Sequence, residues 1–491
     1  MKKLIIITLA LIGGLPFLHA QDSYEALKFS RYQYYGTARS SGMGNAFGAL
    51  GADFSAVSIN PAGLGVYRKG EFAFTPSLKI NRNTGTYMGQ SMEDENFKFQ
   101  LDNIHFVSTY NTNRNNGLVS LSFGVGYNRL ADFSESITLL GRNAQTSMLD
   151  EFADNSSGFT NVAPSEFYED LAWNADLMYI RDTEEDPVVY THDMMSQGVY
   201  GQSQEHIITR SGGMGEYNFA LGANVSHKLY FGLSVGIVSL SYDETIVHTE
   251  TDIANNVDFF DGFSFTEDYL TSGTGVNMKL GIIARPLTSL RVGASVHLPT
   301  FYNIDTEFST RMNGFFDPSP DFDDETFVRS DLLISEYRLT TPFRFIGSLG
   351  YQIGKVATIS ADYEYVDYGA NRFDIDTDPT YQADLNDELE DVYNVAHNLR
   401  AGAEVRLGKV YLRHGWAFYQ DPSVSLEDAD LIDKTNVRAT GGLGFRTRGF
   451  FMDFAYMRTM NDYSYFPYAY STEAMIENRK NNFLLTMGFR F

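Results

Sequence analysis

The 491-residue sequence predicts an all-β protein, a transmembrane antiparallel β-barrel of about 14 strands with an N-terminal plug in its lumen. Three observations predict it: period-two alternation from Glu71 onward, a strict succession of tight and long connections, and a last strand that ends on Phe491. Alternation marks strands. Over 356–365 the residues Ala357, Ile359, Ala361, Tyr363 and Tyr365 share one face, and Thr358, Ser360, Asp362 and Glu364 the other. Segments 397–406 and 437–446 repeat the pattern. Alternation alone does not separate a soluble sheet from a membrane barrel, whose apolar face meets lipid and whose polar face meets the lumen. The connections do. Tight ones fall at 115–117, 227–228, 286–287, 354–355, 408–409 and 448–449; long ones at 81–100, 131–214, 249–273, 304–341, 370–394, 421–435 and 461–480. One rim of short turns and one of long loops is the wiring of a transmembrane barrel, and an even strand count returns both ends to the periplasm.

The elements follow in chain order. Residues 1–20 read as a cleavable secretory signal: Lys2 and Lys3, an apolar run over 4–15, then Leu18-His19-Ala20 before Gln21. The run is too short to anchor a membrane helix. Residues 21–70 form the plug, and residues 71–491 the barrel. Phe483, Leu485, Met487, Phe489 and Phe491 alternate with Leu484, Thr486, Gly488 and Arg490, so the closing strand ends on an aromatic residue. Such an ending resembles the signal read by the bacterial barrel-assembly machinery, an expected partner alongside outer-membrane lipid and lipopolysaccharide.

Composition excludes several classes. The chain has 0 Cys, so disulfides and thiolate metal sites are unavailable. A formal net charge of −25 is the wrong sign for tracking nucleic-acid phosphates. The balance of 31 Tyr and 38 Phe against 2 Trp, with 43 Gly against 13 Pro, leans towards a barrel. No Ser-His-Asp spacing, P-loop or zinc motif is present, so no enzyme, cofactor or metal is expected.

Residues 22–70 do not alternate. They are dense in Gly and small residues, which suits tight turns and close backbone approach better than a strand. A barrel of about 14 strands is too wide for wall side chains to fill, and this stretch is the material available to occupy it. The run from Arg39 to Leu64, with Gly42-Met43-Gly44-Asn45-Ala46-Phe47 and Asn60-Pro61-Ala62-Gly63-Leu64, resembles the N-terminal hatch of the FadL/TodX family of outer-membrane transporters. The resemblance implies a plugged barrel without a continuous water channel. It also implies passive uptake of hydrophobic small molecules, long-chain fatty acids or aromatic hydrocarbons, by a monomer. Gly42, Gly44, Asn60, Pro61 and Ala62 are the plug residues it carries over. PorV-type barrels, which escort cargo of the type IX secretion system, share the fold and a similar N-terminus ending in Asn-Pro. That is the alternative reading.

Strand register turns Lys279, Arg291, Arg344, Arg400, Arg413 and Arg438 inward. Guanidinium forks suit a ligand carboxylate; they equally suit the inward Asp362, Glu364, Glu404 and Asp453, bracing the wall against the plug. The family opens sideways at its third strand, where Gly124 and Gly126 mark a candidate lateral opening. The insertion 131–214, with helix-like pieces at 147–152 and 165–179, offers Phe167, Leu171, Trp173, Leu177 and Met178 as an apolar cap. His192 and His206, near Met194 and Met195, raise a haem reading that fits no ligand spacing. The acidic runs Glu184-Glu185-Asp186 and Asp323-Asp324-Glu325 lack calcium-loop spacing and read as solvated charge.

Overall fold

The computed structural model describes residues 23–158, 165–181, 187–318, 324–376, 378–424 and 436–491. The signal segment 1–20, Glu184 to Asp186 and Asp323 lie outside the described residues. Fourteen antiparallel strands close into a barrel: β1 (Glu71–Tyr87), β2 (Gln90–Asn111), β3 (Leu118–Asp132, continued by Glu135–Gly141), β4 (Ser203–Val225), β5 (Leu229–Thr251), β6 (Gly262–Ala284), β7 (Leu290–His297, continued by Phe301–Phe315), β8 (Leu333–Thr340, continued by Arg344–Ile353), β9 (Ala357–Asp367), β10 (Val395–Leu407), β11 (Val410–Tyr419), β12 (Asn436–Arg446), β13 (Phe450–Tyr465) and β14 (Ala474–Arg490). Closure is by β1 on β14, from Glu71 opposite Arg490 to Thr86 opposite Met475.

The period-two pattern becomes a lipid-facing band. On β5 the alternate residues Leu229, Phe231, Leu233, Val235 and Ile237 are all exposed, while Ser234 between them is buried in the lumen. A span of about nine residues crosses the hydrocarbon core when tilted. Phe97, Tyr217, Phe301 and Phe343 mark the outer edge of the band; Phe106, Phe231, Phe445 and Phe489 mark the periplasmic edge. These are the aromatic girdles of a membrane barrel.

The strands run further than the alternation predicts. Segment 81–100, expected as a loop, is the upper part of β1 and β2, joined at Met88 and Gly89, both with positive φ. Much of 249–273, 304–341 and 461–480 is likewise strand. Above the bilayer the outward face of a strand meets water and the inward face packs on plug and insertion, so the lipid-facing apolar residues that make a strand visible in sequence are missing. Pro76 in β1 lacks the N–H its ladder needs, and the register there shifts past Asp102 of β2, a bulge.

The plug starts with α1 (Ser23–Ser30), an extended stretch, and α2 (Ala38–Ser41). Thr37 caps α2, accepting from Ser40 N while its hydroxyl donates to both oxygens of Asp53 at 2.9 and 2.8 Å. Two 3₁₀ turns follow, Phe54–Ser58 capped by Asp53 and Pro61–Val66 capped by Asn60. Proline suits this first position because its missing N–H would have no partner there. Residues Ala46 to Leu50 and Phe54 to Leu64 are buried throughout.

Candidate ligand chamber and plug seat

The plug is seated by backbone donors and acceptors that meet wall side chains. Ala38 N donates to Thr486 Oγ1 at 2.7 Å, Gly44 N to Thr440 Oγ1 at 3.1 Å, and Gly48 N to Asp362 Oδ2 at 3.1 Å. Ser295 Oγ donates to Ile59 O at 2.7 Å, and His297 Nε2 lies 2.8 Å from the same oxygen. Asn60 does three things: its side-chain oxygen accepts from Ala62 N at 3.1 Å, and its amide donates to Gly48 O at 2.8 Å and to Ile282 O at 3.2 Å. Pro61 and Ala62 lie against Gly232, where a Cβ would overlap their backbone. Gly44 passes between Trp416 and Ala401 at positive φ, and Gly42 lies against Gly442. Wall glycines and plug glycines thus give each other room.

The six inward cations lie along this seat. Arg344 pairs with Glu364 at 3.1 Å and donates to Ser30 O of the plug. Arg400 meets Glu364 at 2.9 Å, and Arg413 meets Glu404 at 2.7 Å and Asp453 at 2.8 Å. Arg438 donates to Gln33 O at 2.6 Å and to Thr459 Oγ1 at 3.1 Å. Lys279 pairs with Glu216, which also accepts from Ser58 Oγ of the plug at 3.0 Å. Arg291 donates to Leu50 O. Every one of the six therefore meets a wall carboxylate, a plug carbonyl or both.

A cavity of about 720 Å³ lies above, and none of the six lines it. Its floor is α1, with Tyr24, Leu27 and Lys28; its walls include Arg210, Tyr242, Glu244, Glu267, Tyr269, Phe308, Tyr463 and Tyr465; Tyr168 of the long insertion forms its roof. Outward residues at this height, such as Asp305 and Glu307, are polar and exposed, so the chamber stands outside the bilayer. Arg210 bridges Glu135 at 2.6 Å and Glu244. Lys28 lies 3.6 Å from the centre of the Tyr242 ring, a cation–π contact. Glu267 has no hydrogen-bond or ion-pair partner among the described residues. Burial, with the charges of Glu244 and Glu151, lifts its carboxyl to about 7.

The insertion folds over this chamber. Its helix Met148–Ser156 carries a capping box between Ser147 and Asp150. Met148, Leu149, Phe152, Leu171, Leu177 and Met178 pack with Phe263 and Phe265 of β6 and Met312 of β7. Phe167 is buried too, whereas Trp173 is partly exposed. His192 bonds Asp150 at 2.8 Å, while His206 bonds His248 at 3.2 Å and Tyr465 at 3.0 Å. No group of side chains arranged for a metal ion occurs among the described residues.

The wall is discontinuous in one place. The β2–β3 ladder ends at Asn103 opposite Asn128; the register of β3 on β4 then shifts between Arg129 and Ala131. Beyond it β3 pairs only with β4, and residues 90–102 of β2 pair only with β1. Lys98 crosses this seam, donating to Ser134 Oγ at 2.6 Å and to Asp132 Oδ1 and Gly212 O at 3.3 Å each. Asp94 caps Thr138 N at 2.6 Å. Gly124 and Gly126 lie below the seam, in unbroken ladder on both sides. They serve a different purpose there: added Cβ atoms would meet Phe54 and Leu64 of the plug.

No protein-family model matches the sequence, and no curated protein does. Solved structures do match. A TodX monoaromatic hydrocarbon channel deltaS2 mutant aligns with 93% of this chain and 99% of its own at TM-score 0.56 and 13% identity. A Pseudomonas aeruginosa FadL homologue aligns with 94% and 99% at TM-score 0.53 and 12% identity. The Ralstonia pickettii toluene transporter TbuX aligns with 94% and 99% at TM-score 0.51 and 15% identity. The chain has the FadL/TodX-type fold. At these identities the likeness is one of architecture, and the FadL/TodX-type barrel still leaves each side chain to be read in its own surroundings.

In this FadL/TodX-type barrel the inward cations were legible in the sequence and the chamber was not. Arg210, Glu267 and Tyr465 lie in segments expected as loops, and Glu244 in an expected strand. The available signal was the run of tyrosines Tyr463, Tyr465, Tyr468 and Tyr470, all in one segment read as a long loop.

Proposed function

We propose that this protein is an outer-membrane transporter for passive uptake of hydrophobic small molecules, with long-chain fatty acids or aromatic hydrocarbons as the substrate classes. The observation that carries the reading is the chamber of about 720 Å³ between plug and insertion, whose lining combines aromatic rings such as Tyr242, Tyr269 and Phe308 with charged groups such as Lys28, Arg210 and Glu267. A concave site of this size, with rings for an apolar body and polar groups to orient it, suits a small ligand. The seam between β2 and β3 supports a lateral exchange with the membrane, and the exposed Phe97, Phe99 and Leu101 beside it give a ligand an apolar approach. The plug rules against a free aqueous pore on steric grounds, because its residues fill the bore. Solved barrels of the same fold are described as hydrocarbon and toluene transporters, which is consistent with this reading.

Mass spectrometry of small molecules released from the purified barrel tests it. The expected result is an apolar or amphipathic ligand at near-stoichiometric amount, reduced when Tyr242 is replaced by Ala. A preparation carrying no such ligand, and co-purifying with secreted proteins, would replace uptake with the cargo-escort reading.

A further inference from the structure

Below the plug, at the periplasmic end of the bore, lies a second cavity of about 250 Å³. Its lining includes Arg39, Arg291, Lys355, Arg406 and Arg446, and a single carboxylate, Glu404. That is unexpected in a chain of net charge −25. The nearby carboxylates are already shared: Glu404 between Arg39 at 3.4 Å and Arg413 at 2.7 Å, and Asp453 between Arg413 at 2.8 Å and Arg446 at 3.3 Å. Among the described residues Arg291 donates only to the Leu50 carbonyl, and Arg406 only to the Gly408 carbonyl, at 3.1 Å. Arg446 Nε is buried without an acceptor. Positive charge gathered in a recess with so little compensation is costly unless an anion joins it.

The surroundings carry the same sign. Each of the six short turns holds one Lys or Arg, Lys355 and Arg448 among them, and none holds Asp or Glu. Cations on the outer side of those turns are accounted for by phospholipid headgroups. Arg39, Arg291 and Arg446 are not, because they face the bore beneath the plug, where bilayer lipid does not reach.

We infer that this vestibule is an oxyanion-binding site, built for a carboxylate or phosphate group held by Arg291, Arg406 and Arg446 beneath the plug. Guanidinium forks match both groups geometrically. The favoured source is the carboxylate of an amphiphile leaving the barrel, an assignment that rests on the uptake reading; free phosphate is the other source of the same chemistry. On that assignment the vestibule selects acid-headed amphiphiles over neutral hydrocarbons at the exit.

The test is calorimetric titration of the purified full-length barrel with decanoate, decanol and inorganic phosphate. Wild type is expected to bind decanoate more tightly than decanol. Arg291→Gln, and separately Lys355→Gln with Arg406→Gln, should each weaken decanoate about tenfold and leave decanol unchanged, the loss of one charge-assisted contact. The second variant touches no plug atom, so a disturbed plug does not explain its effect. Phosphate that displaces decanoate and binds more tightly than it would support the site with free phosphate as its source; decanoate that phosphate displaces only weakly would support the amphiphile. Equal binding of decanoate and decanol, or decanoate binding unchanged in both variants, would overturn the vestibule. Decanol binding lost in Tyr242→Ala but kept in both vestibule variants would leave the uptake reading standing whichever way the vestibule falls.

Discussion

Glu267 faces the chamber with no ion-pair partner among the described residues, and burial beside Glu244 and Glu151 lifts its carboxyl from an ordinary 4.5 to about 7. The folded state therefore holds this proton more tightly than the unfolded chain. Stability present below pH 4.5 is lost as pH rises through about 7. Glu267→Gln should melt with wild type at pH 5 and about 2 kcal/mol above it at pH 8, read by thermal unfolding in detergent. A variant no more stable than wild type at pH 8 would mean the carboxylate has a partner after all. Asn60 is the opposite case, with every polar atom in use. Asn60→Ala removes the cap, one bond within the plug and one to the wall, and should loosen the plug by about 1–2 kcal/mol. A rise in ion leakage through the intact barrel would report it. At this scale the inward Arg344 and Arg438 were legible, because a period of two fixes which face a residue takes. Their plug partners were not: Ser30 and Gln33 offer backbone carbonyls, which carry no sequence signature.

The third strand shows what an element's surroundings add to its sequence. Gly124 and Gly126 pointed to this strand, yet the ladder breaks later, after Asn128. A strand glycine marks either a bulge or a close approach, and only the path of the plug decides which. Lys98 holds the separated edges together, so Lys98→Ala should lower hydrogen-exchange protection in Glu135–Gly141 while leaving Leu229–Thr251 unchanged. Unchanged exchange in both segments would show that the Asp94–Thr138 contact, with Asn81 and Asn83 on Ser134 O and Ser136 O, closes the seam without Lys98. The strands within the bilayer were legible for a physical reason: lipid on one side and water on the other forces alternation. Their extensions above it have water outside and packed side chains inside, so the lipid-facing half of the pattern is gone, and the chamber is built from those extensions. Gly44 tests the plug's seat from within. Its φ is +64° and an added Cβ would lie 2.8 Å from Trp416 N, so Gly44→Ala should unseat the turn at a cost of about 2 kcal/mol. The barrel itself should still resist unfolding in a gel-shift assay.

Taken whole, the molecule is a lipid-facing cylinder with a sealed middle, an enclosed chamber on one side and a cationic recess on the other. The strand count and the Gly-rich block that fills the bore came from spacing and composition. The two cavities did not, because each is assembled from residues far apart in the chain: Lys28 with Arg210 and Lys480, or Arg39 with Arg291 and Arg446. Charge is also sorted along the axis, acidic in the long loops and basic in the short turns, a field that draws an anion towards the periplasm. All of this depends on residues 23–64 occupying the bore. The most direct measurement is planar-bilayer conductance of the intact barrel against a variant lacking 23–64. Small, intermittent currents are expected from the intact protein and large, steady ones from the deletion. Large steady currents from the intact protein, or a deletion that folds and conducts no better, would contradict a filled bore.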